Sequence, residues 1–309
     1  MRRILGIAAI AVALVAGCAK SSTTTTTATS AAPVSGPPIN IGSANFTESI
    51  VLGSLYAQAL KAKGYTVAEH SSMGSREVYF PALESGKINF FPEYIGSSLN
   101  FLTKQKDASK PDAKQTYDLL QPELKKVKLT ALQMSDAADQ DGVVANKETA
   151  SKYNLKNISD LKPYASQLIY GGPPECPTRI SCLKGLEQYY GLKFKSFKSL
   201  DTGGPVTVRA LKSNAVQVGD LFTTDARIAA NGFVVLKQDK QPIVGAENVA
   251  PIVSDSLVMA YGTKFTDLVN SISAKLTSDG LLQLNKAVDI DKEDAKTVAA
   301  AWLRQNGLI

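Results

Sequence analysis

From Ile39 onward the apolar positions switch back and forth between two periods. "INIGSA" reads as a strand. "TESIVLGSLYAQALKAKG" follows with Ile50, Val51, Leu55, Ala59 and Leu60 at helical spacing, Asn45 or Thr47 as candidate N-cap and Gly64 as the stop. "YTVAEHSS" is the next strand, "SREVYFPALESG" a second helix, and "KINFFPEYI" a third strand. Strand–helix alternation of this kind predicts an α/β fold with a mostly parallel sheet covered by helices on both faces.

A helical region spans Pro111 to Val127, and the alternation restarts after Val143. "GVVAN", "QLIYGG", "FKSFKSL", "AVQVGDLF" and "FVVLKQ" read as strands, with helices at Leu183–Tyr190, Pro205–Ser213 and Asp225–Ala230. After "IVSDSLVMAYG" the chain ends in helices such as "DLVNSISAKL" and "DAKTVAAAWLRQNG". The expected division is lobe I from 39–141 plus 246–309 and lobe II from 142–245, with crossings near Asp139 and Ala246. Lobes of roughly 170 and 100 residues are ordinary domain sizes. No sequence repeat relates the two blocks.

The first 38 residues differ in kind. Arg2 and Arg3 precede the apolar run "ILGIAAIAVALVA", the shape of a secretory signal over 1–17 and too short for a spanning helix of ~20 residues. "AKSSTTTTTATSAAPVSGPP" has nothing large and apolar to bury, so 18–38 is expected to be a flexible tether. Charge adds little. The formal net charge of +6 includes Arg2 and Arg3, and no basic cluster interleaves with aromatics, so nucleic-acid binding is not expected. Cysteine usage adds more. An exported chain permits disulfides, and "CPTRISC" brings Cys176 and Cys182 into one short loop around Arg179. A disulfide is expected there, the alternative being two free buried thiols. With His70 the one histidine, neither a metal site nor a cofactor is expected.

Ligands of open α/β sheets sit beyond the carboxyl ends of the strands. Asn45, Tyr94 and the run Thr223–Thr224–Asp225 occupy such ends, and would converge if the two lobes face each other. Ser75 opens a helix whose free N–H groups can meet an anion. "DTGGP" at Asp201–Pro205 lacks the P-loop spacing and reads as a helix-entry turn. Phe90, Phe91, Met73, Met134 and Met259 are expected in the core.

"LVAGC", Leu14 to Cys18, resembles the lipobox of bacterial lipoproteins, which implies lipidation at Cys18 and a membrane-anchored, extracytoplasmic protein. "IGSANFTESIVLGSLYAQAL", "GSREVYFPALESGKINFFPEYIGSSL", "NLKNISDL" and "LFTTDARIA" resemble the ProX/OpuAC-like substrate-binding proteins of osmoprotectant ABC importers, which take glycine betaine, choline or proline betaine. The resemblance implies a two-lobed periplasmic-binding-protein fold of type II kind, with two crossover segments and the ligand in the cleft between the lobes. It implies a monomer that delivers its solute to an ABC permease and its ATPase. It also implies an aromatic cage for a quaternary ammonium, held by ring faces because such a head donates no hydrogen bond. Tyr94 matches a cage tyrosine, Phe222 a nearby aromatic, Asp139 a position beside the cation, Ser97 a carboxylate donor, and Arg179 a carboxylate clamp. Departures are Ala44 for a lysine, and Asp141 and Glu247 where cage tyrosines are expected. Those two acids leave open a hydroxyl-rich or amine solute. An enzyme on the same fold, with Asp139 and Asp141 as acid and base, lacks any supporting motif, and a surface adhesin would need no such cleft.

Overall fold

The computed structural model describes residues 32–106 and 109–309. The signal sequence, Cys18 and most of the tether lie outside the described residues. The tether's last residues are held against the fold, contrary to the expectation of a free segment up to 38. Val34 donates its N–H to the Gly64 carbonyl, and Tyr261 donates its hydroxyl to that of Pro37. Among the described residues no helix is long and apolar enough to cross a membrane.

The first block runs β1 (Ile39–Gly42), α1 (Thr47–Ala62), β2 (Val67–His70), α2 (Arg76–Glu84), β3 (Phe90–Tyr94), α3 (Ile95–Leu102), α4 (Ala113–Lys126) and β4 (Leu129–Ala131). The second runs β5 (Asp141–Ala145), α5 (Lys147–Tyr153), β6 (Ile169–Gly172), α6 (Leu183–Tyr190), β7 (Ser196–Ser199), α7 (Pro205–Lys212), β8 (Val218–Phe222), α8 (Ala226–Ala230) and β9 (Val234–Val235). The chain then returns as β10 (Val249–Ser254), α9 (Asp255–Ser273), α10 (Ser278–Asp289) and α11 (Ala295–Gln305). The second half of "IVSDSLVMAYG" is thus helical, with a break at Gly262.

Two sheets result, in the orders β2-β1-β3-β10-β4 and β7-β6-β8-β5-β9. Each has three parallel strands, then one antiparallel strand that has just arrived from the other half: β10 in the first sheet, β5 in the second. The blocks therefore share a topology that no sequence repeat announces. Their two crossing segments pair through an antiparallel bridge at Ala138 and Asn248, beside an N–H donated by Asp139 to the Glu247 carbonyl. Asp141, expected at the end of lobe I, opens β5 of the second sheet.

All five residues of β3, "FFPEY", are buried because both faces of the sheet are covered. Phe90 and Tyr94 face α1 and the C-terminal helices, while Phe91 packs into a second core with Tyr79, Phe80 and Ile95. Glu93 shares the Phe91 side and is neutralised there: Arg76 donates through Nε at 2.6 Å and Nη2 at 3.0 Å, and the Tyr79 hydroxyl donates at 2.6 Å. Arg76 is thereby spent on a buried ion pair. Met73 and Met134 pack on the core, but Met259, on α9, is 79% exposed among the described residues.

Gly96, in the first turn of α3, lets that helix approach the second crossing. A Cβ there would lie 2.5 Å from the Ala246 carbonyl oxygen and 2.8 Å from Glu247 Oε1. Gly96→Ala is expected to lower unfolding stability by about 1–3 kcal/mol, the usual cost of overpacking. Urea denaturation checks this, and an unchanged midpoint would show that the crossing gives way freely.

Candidate functional site

The site is built where strand ends of both sheets meet. A cleft of about 630 Å³, its open mouth included, is lined by both halves of the chain, a size ordinary for small-ligand sites. Its aromatic surfaces are Phe46, Tyr79, Tyr94 and Phe222. Phe46 is set by the turn between β1 and α1, where the Ala44 N–H donates to Ser49 Oγ. Its ring sits 4.7 Å from that of Phe222 and 6.2 Å from that of Tyr94, centroid to centroid. Tyr79 stacks on Phe91 at 3.9 Å. Phe222 is fixed by Gly203, whose positive φ turn passes so close that a Cβ would lie 2.7 Å from the ring. Phe46 and Tyr79 supply rings that the sequence reading did not count when it found acids at two cage positions.

Behind Tyr94 lies Glu48, in the first turn of α1, where the helix dipole favours a carboxylate. Tyr94 donates its hydroxyl to Glu48 Oε1 at 2.6 Å, Thr224 donates its hydroxyl to Oε2 at 2.6 Å, and Asn285 donates Nδ2–H to Oε2 at 2.7 Å. Burial raises the Glu48 carboxyl above its usual range, and these donors offset only part of that rise. Asp139 stands beside it. Its Oδ1 accepts the Thr223 hydroxyl at 3.0 Å and the Thr224 N–H at 2.9 Å, whereas Oδ2 is buried with no donor among the described residues, and the side chain stands within hydrogen-bond reach of Glu48. Burial, then repulsion by Glu48, holds the Asp139 carboxyl well above the normal carboxylate range.

The far side of the cleft is also acidic. Asp220 and Asp141 are diagonal neighbours on the antiparallel pair β8 and β5. Burial, then the charge of Asp141, raises Asp220 well above its ordinary value. Glu247 accepts the Ser97 N–H at 3.0 Å and the Ser97 hydroxyl at 3.1 Å. Burial, with Asp141 adding repulsion against those donors, pushes Glu247 up to about 8. Glu175 completes the set on the cleft wall beside the disulfide that Cys176 and Cys182 form.

Of the residues expected from sequence, Asn45, Ser75, Tyr94, Ser97, Asp139, Asp141, Arg179, Phe222 and Glu247 all line this cleft. Three of the expected roles change. Ser97 directs its hydroxyl to Glu247, so it is not a free carboxylate donor. Thr224 lies behind the rings in a smaller cavity with Glu48, Asn285 and Asp289, its hydroxyl committed to Glu48. Arg179 turns Nη2 outward to Glu77, 3.0 Å away on α2, and toward Glu175 at 3.3 Å, so its charge already has partners; its buried Nε has no hydrogen-bond partner. "DTGGP" is a helix-entry turn, with Asp201 accepting the N–H groups of Val206 and Thr207 at 2.8 Å. Glu48, Phe46 and Asp220 were missed. An acid inside the apolar strand "AVQVGDLF" was the available signal for Asp220, and Phe46 lay in plain sight within "NFTE". Nothing local marks Glu48, because its partners are 176 and 237 residues away along the chain.

Taken together, five carboxylates (Asp139, Asp141, Glu175, Asp220 and Glu247) face two guanidiniums that already hold partners, next to a group of aromatic faces. Such a surface suits a small cation that gives no hydrogen bonds at its charged end. Among the described residues no cluster of candidate ligands for a metal ion is present.

Comparison with known proteins agrees with this chemistry. The sequence profile of the OpuAC family, described as the substrate binding domain of ABC-type glycine betaine transport system, matches residues 37–305. The chain is 28% identical over 281 residues to the glycine betaine-binding protein YehZ of Escherichia coli (strain K12), covering 87% of this chain and 91% of that one. It is 29% identical over 283 residues to a glycine-betaine-binding protein of Pseudomonas aeruginosa, covering 88% of each. A solved glycine betaine/carnitine/choline ABC transporter protein superposes with a TM-score of 0.68 at 23% identity, over 87% of this chain and 99% of that one, which speaks for the fold.

The raised Glu247 carboxyl has a consequence for stability. Between about pH 4.5 and 8 the unfolded chain has lost this proton and the folded chain retains it, so stability falls as pH rises through that window. Glu247→Gln is expected to flatten that decline, gaining on the wild type as pH rises. Thermal unfolding at several pH values checks this, and parallel curves for the two proteins would contradict it.

Proposed function

We propose, on the premise that the chain belongs to the family of substrate-binding domains of ABC-type glycine betaine transport systems, that it captures a small quaternary ammonium solute outside the cytoplasm and hands it to an ABC permease driven by its ATPase. The role is transport, not catalysis. The protein works as a monomer, tethered to the membrane by a lipid on Cys18. The observation that carries the solute class is that the Phe46, Tyr94 and Phe222 rings line one cleft with Asp139, one oxygen of which no donor reaches among the described residues. A methylated ammonium head fits against ring faces, each contact contributing about 0.5–2 kcal/mol when desolvated, and Asp139 supplies the countercharge.

Contacts from both halves favour the closed cleft, since a ligand shifts closure only by its differential affinity for the two states. Glu77 with Arg179, Glu48 with Thr224, and Arg227 with Asp289 at 3.2 Å already join the two halves. At the far end a zwitterion's carboxylate would meet Arg179 Nε but also Asp220, Asp141 and Glu175. The charge balance therefore favours choline over glycine betaine.

Calorimetry on the protein is expected to give micromolar or tighter binding of choline and weaker binding of glycine betaine. Tyr94→Ala should weaken choline binding at least tenfold, and Asp139→Lys should abolish it. Equal affinity of wild type and Tyr94→Ala would remove the ring from the site. Tighter binding of glycine betaine would overturn the reading of the far end.

A further inference from the structure

Asp139 is 3% exposed, lines the cleft, and has one oxygen that no donor reaches among the described residues. The groups around it come from several elements, and none is a cation. Glu48 faces it from α1, and Tyr94 from β3 donates to Glu48. Thr223 and Thr224, after β8, donate to its Oδ1. Asn285 from α10 donates to Glu48, and Glu247 lies across the backbone pairing of the crossings. Arg227 sits behind Glu48, but Asp225 at 2.8 Å and Asp289 at 3.2 Å occupy it. Arg76 and Arg179, on the cleft wall, are held by Glu93 and by Glu77 with Glu175.

Two carboxylates side by side in a dry site cannot both ionise without a positive charge. The donors decide which one keeps its charge. Glu48 accepts three short hydrogen bonds, from Tyr94, Thr224 and Asn285, and a carboxylate so supplied is the better place for the charge of the pair. Asp139 keeps one oxygen that no donor reaches among the described residues, and its side chain both lines the cleft and stands within hydrogen-bond reach of Glu48.

We propose that the cationic solute takes the place of a proton on Asp139, so that solute capture is coupled to proton release from the Glu48–Asp139 pair. This rests on the quaternary ammonium reading above. The one bond exchanged is O–H: the Asp139 carboxyl gives its proton to water or buffer, which takes it as a new O–H or N–H bond, and the ammonium head supplies the positive charge that the pair then needs. Capture is consequently tighter at higher pH, in contrast to a site made from a permanently ionised carboxylate. The rise reaches about tenfold per pH unit where the free protein holds the proton, because one proton leaves per solute bound. Glu48 acts as a positioning residue, holding Tyr94 from behind and keeping the pair one proton short of neutrality.

The test is calorimetry of the full chain near pH 7 with choline and with tetramethylammonium, in buffers of different ionisation enthalpy. Neither ligand titrates, so any buffer-dependent heat reports protons from the protein. The expected result is release of close to one proton per ligand, lost in Asp139→Asn, whose residual binding no longer varies with pH. A carboxyl-carbon NMR signal, assigned by its absence in Asp139→Asn, should show Asp139 neutral in the free protein and ionised once ligand is added. Binding with buffer-independent heat, an Asp139 already ionised when free, or undiminished proton release in Asp139→Asn would each overturn the coupling while leaving the solute class intact. No binding of either cation, with Asp139 neutral, would instead overturn the solute class and the coupling with it.

Discussion

A carboxylate that has been taken out of water must be given back what water supplied, and in this protein Glu48 gathers the structure that does so. Its three donors come from the end of β3, from the loop after β8 and from α10. Those are three separate stretches of chain, one of them in the half that holds the second sheet. Leaving a buried charge short of donors costs several kcal/mol, so the requirement fixes the orientation of the Tyr94 ring and draws Thr224 across from the other half. The ring that offers its face to the cleft is positioned by what its hydroxyl must do behind it.

The same logic organises the charges of the cleft. Arg76 and Arg179 line it, yet each is drawn away by acids outside, Glu93 and Glu77. What is left facing inward is a surplus of carboxylates beside aromatic faces. Burial, and repulsion between neighbours, raises several of these carboxyls above their ordinary values. A bound cation relieves that imbalance and adds contacts to both halves, so the recognition of charge and the closing of the cleft arise from one cause.

The α/β class, the two blocks and the strand ends were legible because both sheets are covered on both faces, which writes near-continuous apolar runs such as "FFPEY" into the chain. The helix α5 was not legible, since only Thr149 and Ala150 of it are buried and no apolar stripe marks it. Site residues on strand ends could be named from pattern and resemblance, but their donor and acceptor commitments could not. Ser97 and Thr224 carry hydroxyls that look free in sequence and are taken by Glu247 and Glu48. Counting cage rings from aligned positions also undercounted them, because Phe46 and Tyr79 reach the cleft from a turn and a helix rather than from the positions where Asp141 and Glu247 stand. Met259 shows the converse: an apolar residue in a helical pattern that the described residues leave exposed on α9.

A crystal structure of the choline complex tests the central claim most directly, because that claim is about where a positive charge sits. The ammonium nitrogen is expected within about 6 Å of the Phe46, Tyr94 and Phe222 ring centres, next to Asp139 Oδ2, with Tyr94 still donating to Glu48. An ammonium bound on the Asp220 and Glu175 side, away from the three rings, would contradict the account.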